Sequence, residues 1–279
     1  MDPALPLTRL VLEAGSVAQD LAFVALRDLE QLFFRAQEPQ AVLIGGQMVT
    51  LHAYRWGLGA ELYRESRDAD TGVTLVGLKD ETLLPRIEQL GYSRTSGNMF
   101  ERPVLDIPVD TSEGDPPVAQ VDLLAPAFTS RARENVPVGA FVVTEVPGLA
   151  IAMRATVTAQ LRLIRLNGEA ADIRVVLPDE VGCVILRAHV WGLRLQDRDA
   201  IDVWRALEIA RRAGLSPDAF RGPAQAAAEI VRSAFGSTAA PGVQAVMAGR
   251  ALVPSAPNPA RIVALVRAVV GSSTTELKD

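Results

Sequence analysis

Asp68 and Asp70 are spaced to share one side of an extended strand. Neighbouring strand side chains point to opposite faces, so residues i and i+2 project together. Two carboxylates that close repel unless a cation lies between them. Hard oxygen ligands that leave room for substrate phosphates suit Mg²⁺. The pair sits in Arg64-Glu-Ser66-Arg-Asp68-Ala-Asp70, running into a second apolar stretch, Val73 to Val76. Upstream, the apolar run Ala41 to Ile44 reads as a strand ending at Gly45-Gly46. A glycine pair lets backbone approach a phosphate with no Cβ in the way. Each motif alone also describes solvated turn aspartates or a tight turn; their order points to a metal held beside a phosphate.

Further carboxylates and cations follow. Asp122 lies in Gln-Val-Asp-Leu-Leu, within an alternating run from Val118 to Leu124 that predicts a strand. An aspartate in an apolar strand is costly to bury unpaired. If that strand lies beside the Asp68/Asp70 strand, Asp122 becomes the third carboxylate. Later, Val181 to Leu207 carries Arg187, Arg194, Arg198-Asp199 and Asp202. Positions i, i+7 and i+11 return to within about 20° on one helix. Three cations there would form an electropositive wall suited to a triphosphate. Gly192 is a point where the helix could break. The plainer alternative is a solvated basic face with Asp199 pairing Arg194 or Arg198.

The elements that must position these residues can be read from periodicity. A helix capped by Ser16 runs toward Glu38-Pro39, with apolar residues from Val17 to Phe33 at helical spacing. Met48 to His52 predicts a helix, Gly77 to Asp80 a turn, and Glu81 to Leu90 a helix closed by Gly91. Met99 to Leu105 and Ile107 to Val109 predict strands, and Thr111 to Pro117 a loop. Phe128 to Asn135 reads as a polar connection. Phe141 to Val146 and Ala171 to Leu177 predict strands. Leu149 to Arg165 has helical spacing, against which stands the β-branched run Thr156-Val157-Thr158. After Pro178 the chain reads as helical: Ile201 to Ala213, a helix opened by Ser216-Pro217, Pro241 to Ala251, Pro259 to Val270, then a frayed tail. The expectation is an α+β chain: a mixed-sheet domain over residues 1–178 and a helical bundle over 179–279.

Composition bounds the function classes. The chain has 279 residues, of which 49% are hydrophobic, ample for a core. No run approaches a membrane span, and the N-terminus lacks the basic flank of a secretory signal. The single cysteine, Cys183, excludes an intrachain disulfide, suits a reducing cytoplasm, and reads as a buried hydrophobe. Two histidines, His52 and His189, with one cysteine cannot build a usual zinc site. A net charge of −5 argues against general nucleic-acid coating but permits a local basic patch.

Taken in order, the motifs resemble the nucleotidyltransferase superfamily, whose signature is a glycine pair followed by Asp-x-Asp on the next strand. They look most like the AbiEii and MenT-type branch, toxins of bacterial toxin–antitoxin pairs. That branch carries R-x-T-x-D-x-D, which stands here as Arg64, Ser66, Asp68 and Asp70. It then carries K-x-x-A, followed by R, R/K-D and D. These stand here as Arg187, Arg194, Arg198-Asp199 and Asp202, with Arg187 replacing lysine and Val190 replacing alanine. The resemblance implies a nucleotidyltransferase-like fold, Mg²⁺, an NTP donor, an RNA acceptor such as tRNA, and a cognate antitoxin. It implies metal binding by Asp68, Asp70 and Asp122. It gives nucleotide binding to Gly45, Gly46, Arg64, Ser66, Arg194 and Arg198, and catalytic roles to Arg187, Asp199 and Asp202 beside the metal-binding aspartates. The Arg187 departure keeps open a binding module with attenuated chemistry. A small-molecule nucleotidyltransferase acting on a cationic antibiotic is the third reading.

Overall fold

The computed structural model describes residues 9–108, 116–255 and 257–272. Val109 of an expected strand, residues 111–115 of the expected loop, residues 1–8 and residues 273–279 lie outside the described residues. The strands are β1 Leu10–Glu13, β2 Ala41–Leu43, β3 Asp68–Val73, β4 Ser93–Ser96, β5 Met99–Pro103, β6 Val118–Pro126, β7 Arg133–Val138, β8 Phe141–Val146, β9 Thr156–Ile164 and β10 Ala170–Pro178. The α-helices are α1 Val17–Leu29, α2 Gly45–Arg55, α3 Gly59–Leu62, α4 Leu75–Leu78, α5 Leu83–Gln89, α6 Leu149–Ala152, α7 Glu180–Arg194, α8 Asp197–Arg212, α9 Gln225–Phe235, α10 Pro241–Ala248 and α11 Pro259–Val270. Among the described residues no helix is long and apolar enough to cross a membrane.

The chain divides into two compact units. The first comprises Met1–Met48, Glu65–Pro147 and Thr156–Leu177; the second comprises Val49–Arg64, Gly148–Ala155 and Pro178–Asp279. The expected division after residue 178 falls next to the last boundary. Two earlier segments nevertheless belong with the helical unit.

The first unit is built on a mixed sheet with β6 at its centre. β6 runs parallel to β3 and antiparallel to β5, and it pairs in parallel with β8 at its far end. β2 extends the sheet beyond β3, while β4 and β7 are hairpin partners of β5 and β8. Alternation in β6 is regular: Ala119, Val121, Leu123 and Ala125 are buried, and Gln120, Asp122 and Leu124 are half-buried. Helix α1 packs against β3 and β6. Ser16 caps it by accepting from the Gln19 amide. A second sheet orders β1, β9 and β10, with β1 parallel to β9.

Four local expectations need correction. The apolar run Val73 to Val76 is not one strand: β3 ends at Val73, and Thr74 caps α4 by accepting from the Gly77 amide. Leu149 to Arg165 is not one helix. Only α6 is helical, and Thr156 to Ile164 pairs with β1, as a β-branched run favours. The expected polar connection contains the start of β7. Ile107 and Pro108 lie outside any strand.

The second unit is helical, and α8 is its centre. From Asp199 to Ala210 every residue of α8 is buried, and the helix packs on α7, α10 and α11. Asp179 caps α7 by accepting from the Gly182 amide, and Asn258 caps α11 by accepting from Arg261. Pro241 and Pro259 open their helices, where a missing N–H costs nothing. Ser216-Pro217 opens only a short 3₁₀ turn, Pro217–Phe220, before α9 begins at Gln225.

Candidate functional site

The N-terminal unit brings the three expected carboxylates onto one face of its sheet. Asp70 and Asp122 are register partners on parallel neighbours, and Asp68 lies two residues before Asp70. All three are half-buried, while Ala69, Val121 and Leu123 between them are buried on the opposite face. Ser66 donates from Oγ to Asp68 Oδ1 at 3.0 Å, fixing one carboxylate. The Ser66 carbonyl accepts from Gln47 Nε2 at 2.6 Å, which ties that strand entry to the first turn of α2.

Gly45 explains why a glycine opens α2. Its φ is +73°, a left-handed value that side chains resist. A Cβ there would stand 2.8 Å from Asp70 Cβ and Cγ, and closer still to Oδ2. The Ile44 amide donates to the Asp70 carbonyl at 2.9 Å. The glycine pair therefore brings α2's first turn against an aspartate of the Asp-x-Asp motif. Gly46 follows inside that turn.

Among the described residues, no three His, Cys, Asp or Glu side chains gather closely enough to hold a metal unaided. Shared register on one face is a weaker statement than a closed cage. Mg²⁺ is ordinarily held by one or two carboxylates together with substrate phosphates and water. An adjacent aspartate pair with oxygen-only donors fits that mode, in which a nucleotide completes the coordination.

The C-terminal unit gathers a second charged cluster. Asp202 is 1% exposed and holds arginines from three segments. Arg64 reaches it in a fork, Nε to Oδ1 at 3.0 Å and Nη2 to Oδ2 at 2.8 Å. Arg205 donates to it at 2.8 Å, and Arg187 Nη1 lies 3.6 Å away. Burial pushes the Asp202 carboxyl up, but Arg205, Arg64 and Arg187 together hold it below the usual range. Arg205 is 0% exposed and also donates to the Leu62 carbonyl and to Thr50 Oγ1. Arg64 and Asp202 are thereby engaged with each other.

Asp199 behaves differently. It is 4% exposed, and its Oδ2 is buried with no hydrogen-bond partner. Burial raises its carboxyl above the usual range; Arg187, Arg194 and Arg198 oppose that rise, and Asp202 adds to it. The expected single-helix cation wall needs correction. Leu195 takes a left-handed conformation and ends α7, so Arg198 belongs to α8. Gly192 lies inside α7 and does not break it. Arg187 is buried, whereas Arg194 and Arg198 are exposed. All three still act on Asp199, and the Arg187 Nε is likewise buried without a partner. Five guanidiniums here accompany two carboxylates, which suits a polyanion.

Two groups were not legible as site residues. Arg205 gave no signal because two of its three acceptors, the Leu62 carbonyl and Thr50 Oγ1, lie 143 and 155 residues away in sequence. Glu180 accepts from Arg55 at 2.6 Å and from Trp56 Nε1 at 2.7 Å, and His52 Nδ1 lies 3.3 Å away. Burial opposes its ionisation, yet these partners bring it down to about 2. The His52 Nε2 also meets the Pro178 carbonyl at 2.9 Å, so this histidine anchors α2 to the start of α7. Cys183 is fully buried, with its thiol pushed up to about 12, and is not a nucleophile.

No protein-family model matches the chain, and no curated protein matches it.

Proposed function

We propose that this chain is a Mg²⁺-dependent nucleotidyltransferase of nucleotidyltransferase-like fold. It moves NMP from an NTP to a hydroxyl of RNA, with tRNA the first acceptor to try, as the toxin of a toxin–antitoxin pair. The observation that carries the reading is the register of Asp70 with Asp122, with Asp68 on the same face and Gly45 closed against Asp70. The order of glycine pair, Asp-x-Asp strand and third aspartate on its parallel neighbour supports the family resemblance.

Asp68, Asp70 and Asp122 would hold Mg²⁺, which when bound neutralises phosphate charge. Gly45 leaves the Asp70 carboxylate the place that a Cβ would deny it. Ser66 keeps Asp68 oriented. The transfer forms a bond from the acceptor oxygen to the α-phosphorus, breaks the bond to pyrophosphate and releases one proton. Taken by itself, the C-terminal unit offers Arg187, Arg194 and Arg198 for anionic charge and Asp199 for a proton. A raised carboxyl with an unpartnered oxygen suits a base. Asp202, held by three arginines, is assigned the positioning of those arginines and not proton transfer.

One observation favours the attenuated binding module. Arg187, standing where the family has lysine, already has its guanidinium near Asp202. The test is incubation with Mg²⁺, each α-labelled NTP and total tRNA, beside an Asp70→Asn control. The transferase reading expects RNA labelled with at least one NTP and unlabelled in the control. Mg²⁺–NTP binding without label transfer would favour the module, and transfer unchanged by Asp70→Asn would overturn the site.

A further inference from the structure

The C-terminal unit exposes three large apolar side chains among its described residues: Leu193 at 50%, Leu195 at 64% and Leu252 at 48%. They are not scattered. Leu193 lies in the last turn of α7, Leu195 in the turn that follows, and Asp197 begins α8. A Cβ on Gly249 would stand 3.2 Å from Asp197 Cβ and 3.2 Å from Ile201. Leu252 lies one 3₁₀ turn beyond, its amide donating to the Gly249 carbonyl at 2.9 Å. The backbone of all three leucines therefore lies near the first turn of α8. Exposed arginines, Arg194, Arg198 and Arg250, accompany them and outnumber the exposed Asp197 of the same turn.

Leu195 sits at φ +52°. A branched side chain is strained there, which glycine or asparagine would avoid. An exposed leucine gains nothing from burial to offset that strain. Gathered leucines within a basic rim are the pattern of an interface awaiting its other half.

We infer that this turn is a docking surface for a protein segment presenting apolar side chains flanked by aspartate or glutamate. Leucine offers a nucleobase no stacking face, which argues for protein over RNA. A two-fold contact with a second copy would set Arg194, Arg198 and Arg250 against their own equivalents, a like-charge arrangement. The inference shares Arg194 and Arg198 with the transferase reading, but its test reads peptide binding without Mg²⁺ or NTP, so the two fail separately.

The experiment pans a displayed random-peptide library against the full chain, with Leu195→Gly protein as counter-selection. Glycine relieves the left-handed strain, so this variant should melt at or above the wild-type temperature; Leu193→Ser provides a second variant. The expected peptides combine apolar with acidic residues. A synthesised representative should bind wild type at least tenfold more tightly than Leu195→Gly, and more weakly as salt rises. No enrichment, enrichment of basic peptides, or equal binding to both variants would overturn the inference. So would self-association that Leu195→Gly abolishes, or displacement of the peptide by a single-stranded RNA that binds Leu195→Gly equally well.

Discussion

Asp199 and Asp202 lie three residues apart on one helix, yet their surroundings push them in opposite directions. Asp199 is raised by burial. Its native form therefore favours the proton, and stability falls as pH rises from the ordinary aspartate range through its folded value. Asp199→Asn should accordingly raise the melting temperature at neutral pH while cutting transfer at least a hundredfold, the scale of a lost general base. Paired melting and label-transfer assays check both parts; a destabilised variant would contradict the burial argument. Asp202 is held down by its arginines despite its burial. Its contribution is present above the ordinary aspartate range and is lost as pH falls through the folded value. Asp202→Ala leaves Arg205 and its neighbours as uncompensated buried cations, which should cost about 3–5 kcal/mol in denaturant unfolding. Glu180 follows the same sign, losing its contribution as pH falls from the ordinary glutamate range toward about 2. Sequence spacing brought Asp199 and Asp202 to notice, but their opposed roles depend on Arg64 and Arg205 together. Arg64 is 138 residues from Asp202, a separation no local pattern encodes.

The element that most constrains the aspartate face is α2. Its first residue must accept a left-handed φ and leave the Asp70 carboxylate its place. Gly45→Ala should lose about 1–2 kcal/mol from backbone strain alone. It should also weaken Mg²⁺–NTP affinity by displacing Asp70, and calorimetric titration beside a denaturant melt would check both. Retained affinity would show that the glycine serves the turn alone. Strand alternation made Asp68, Asp70 and Asp122 legible, and the pairing of β3 with β6 places them as alternation alone could not. The end of α7 was illegible for a physical reason. Neither glycine nor proline marks it, and Leu195 adopts the conformation those signals usually announce. β9 was mistaken for helix because its apolar residues satisfy both periods until β1 supplies a partner. β7 was hidden by polar residues, which a strand paired on only one side tolerates.

At the scale of the whole molecule, the helical unit is discontinuous in sequence. It recruits 49–64 and 148–155, and the first of these supplies Thr50, the Leu62 carbonyl and Arg64 to its buried charge network. A fragment spanning 178–279 lacks them, leaving Arg205 without two acceptors. That fragment should show no cooperative thermal transition by circular dichroism, whereas the full chain should; a cooperative fragment would mean the network is dispensable for folding. A sequence reading places the last boundary because Pro178 and helical periodicity announce it. The recruited segments carry no compositional shift that would separate them from their neighbours.

The central claim is that the aspartate face takes Mg²⁺ together with a nucleotide. Calorimetric titration with a non-hydrolysable NTP analogue, with and without Mg²⁺, tests it on the wild type and on Asp70→Asn/Asp122→Asn. Because the described residues offer no complete cage, Mg²⁺ alone should bind weakly, while Mg²⁺ should raise nucleotide affinity at least tenfold. The double variant should lose that gain. Nucleotide affinity indifferent to Mg²⁺, or a Mg²⁺ gain that survives the double substitution, would contradict the account.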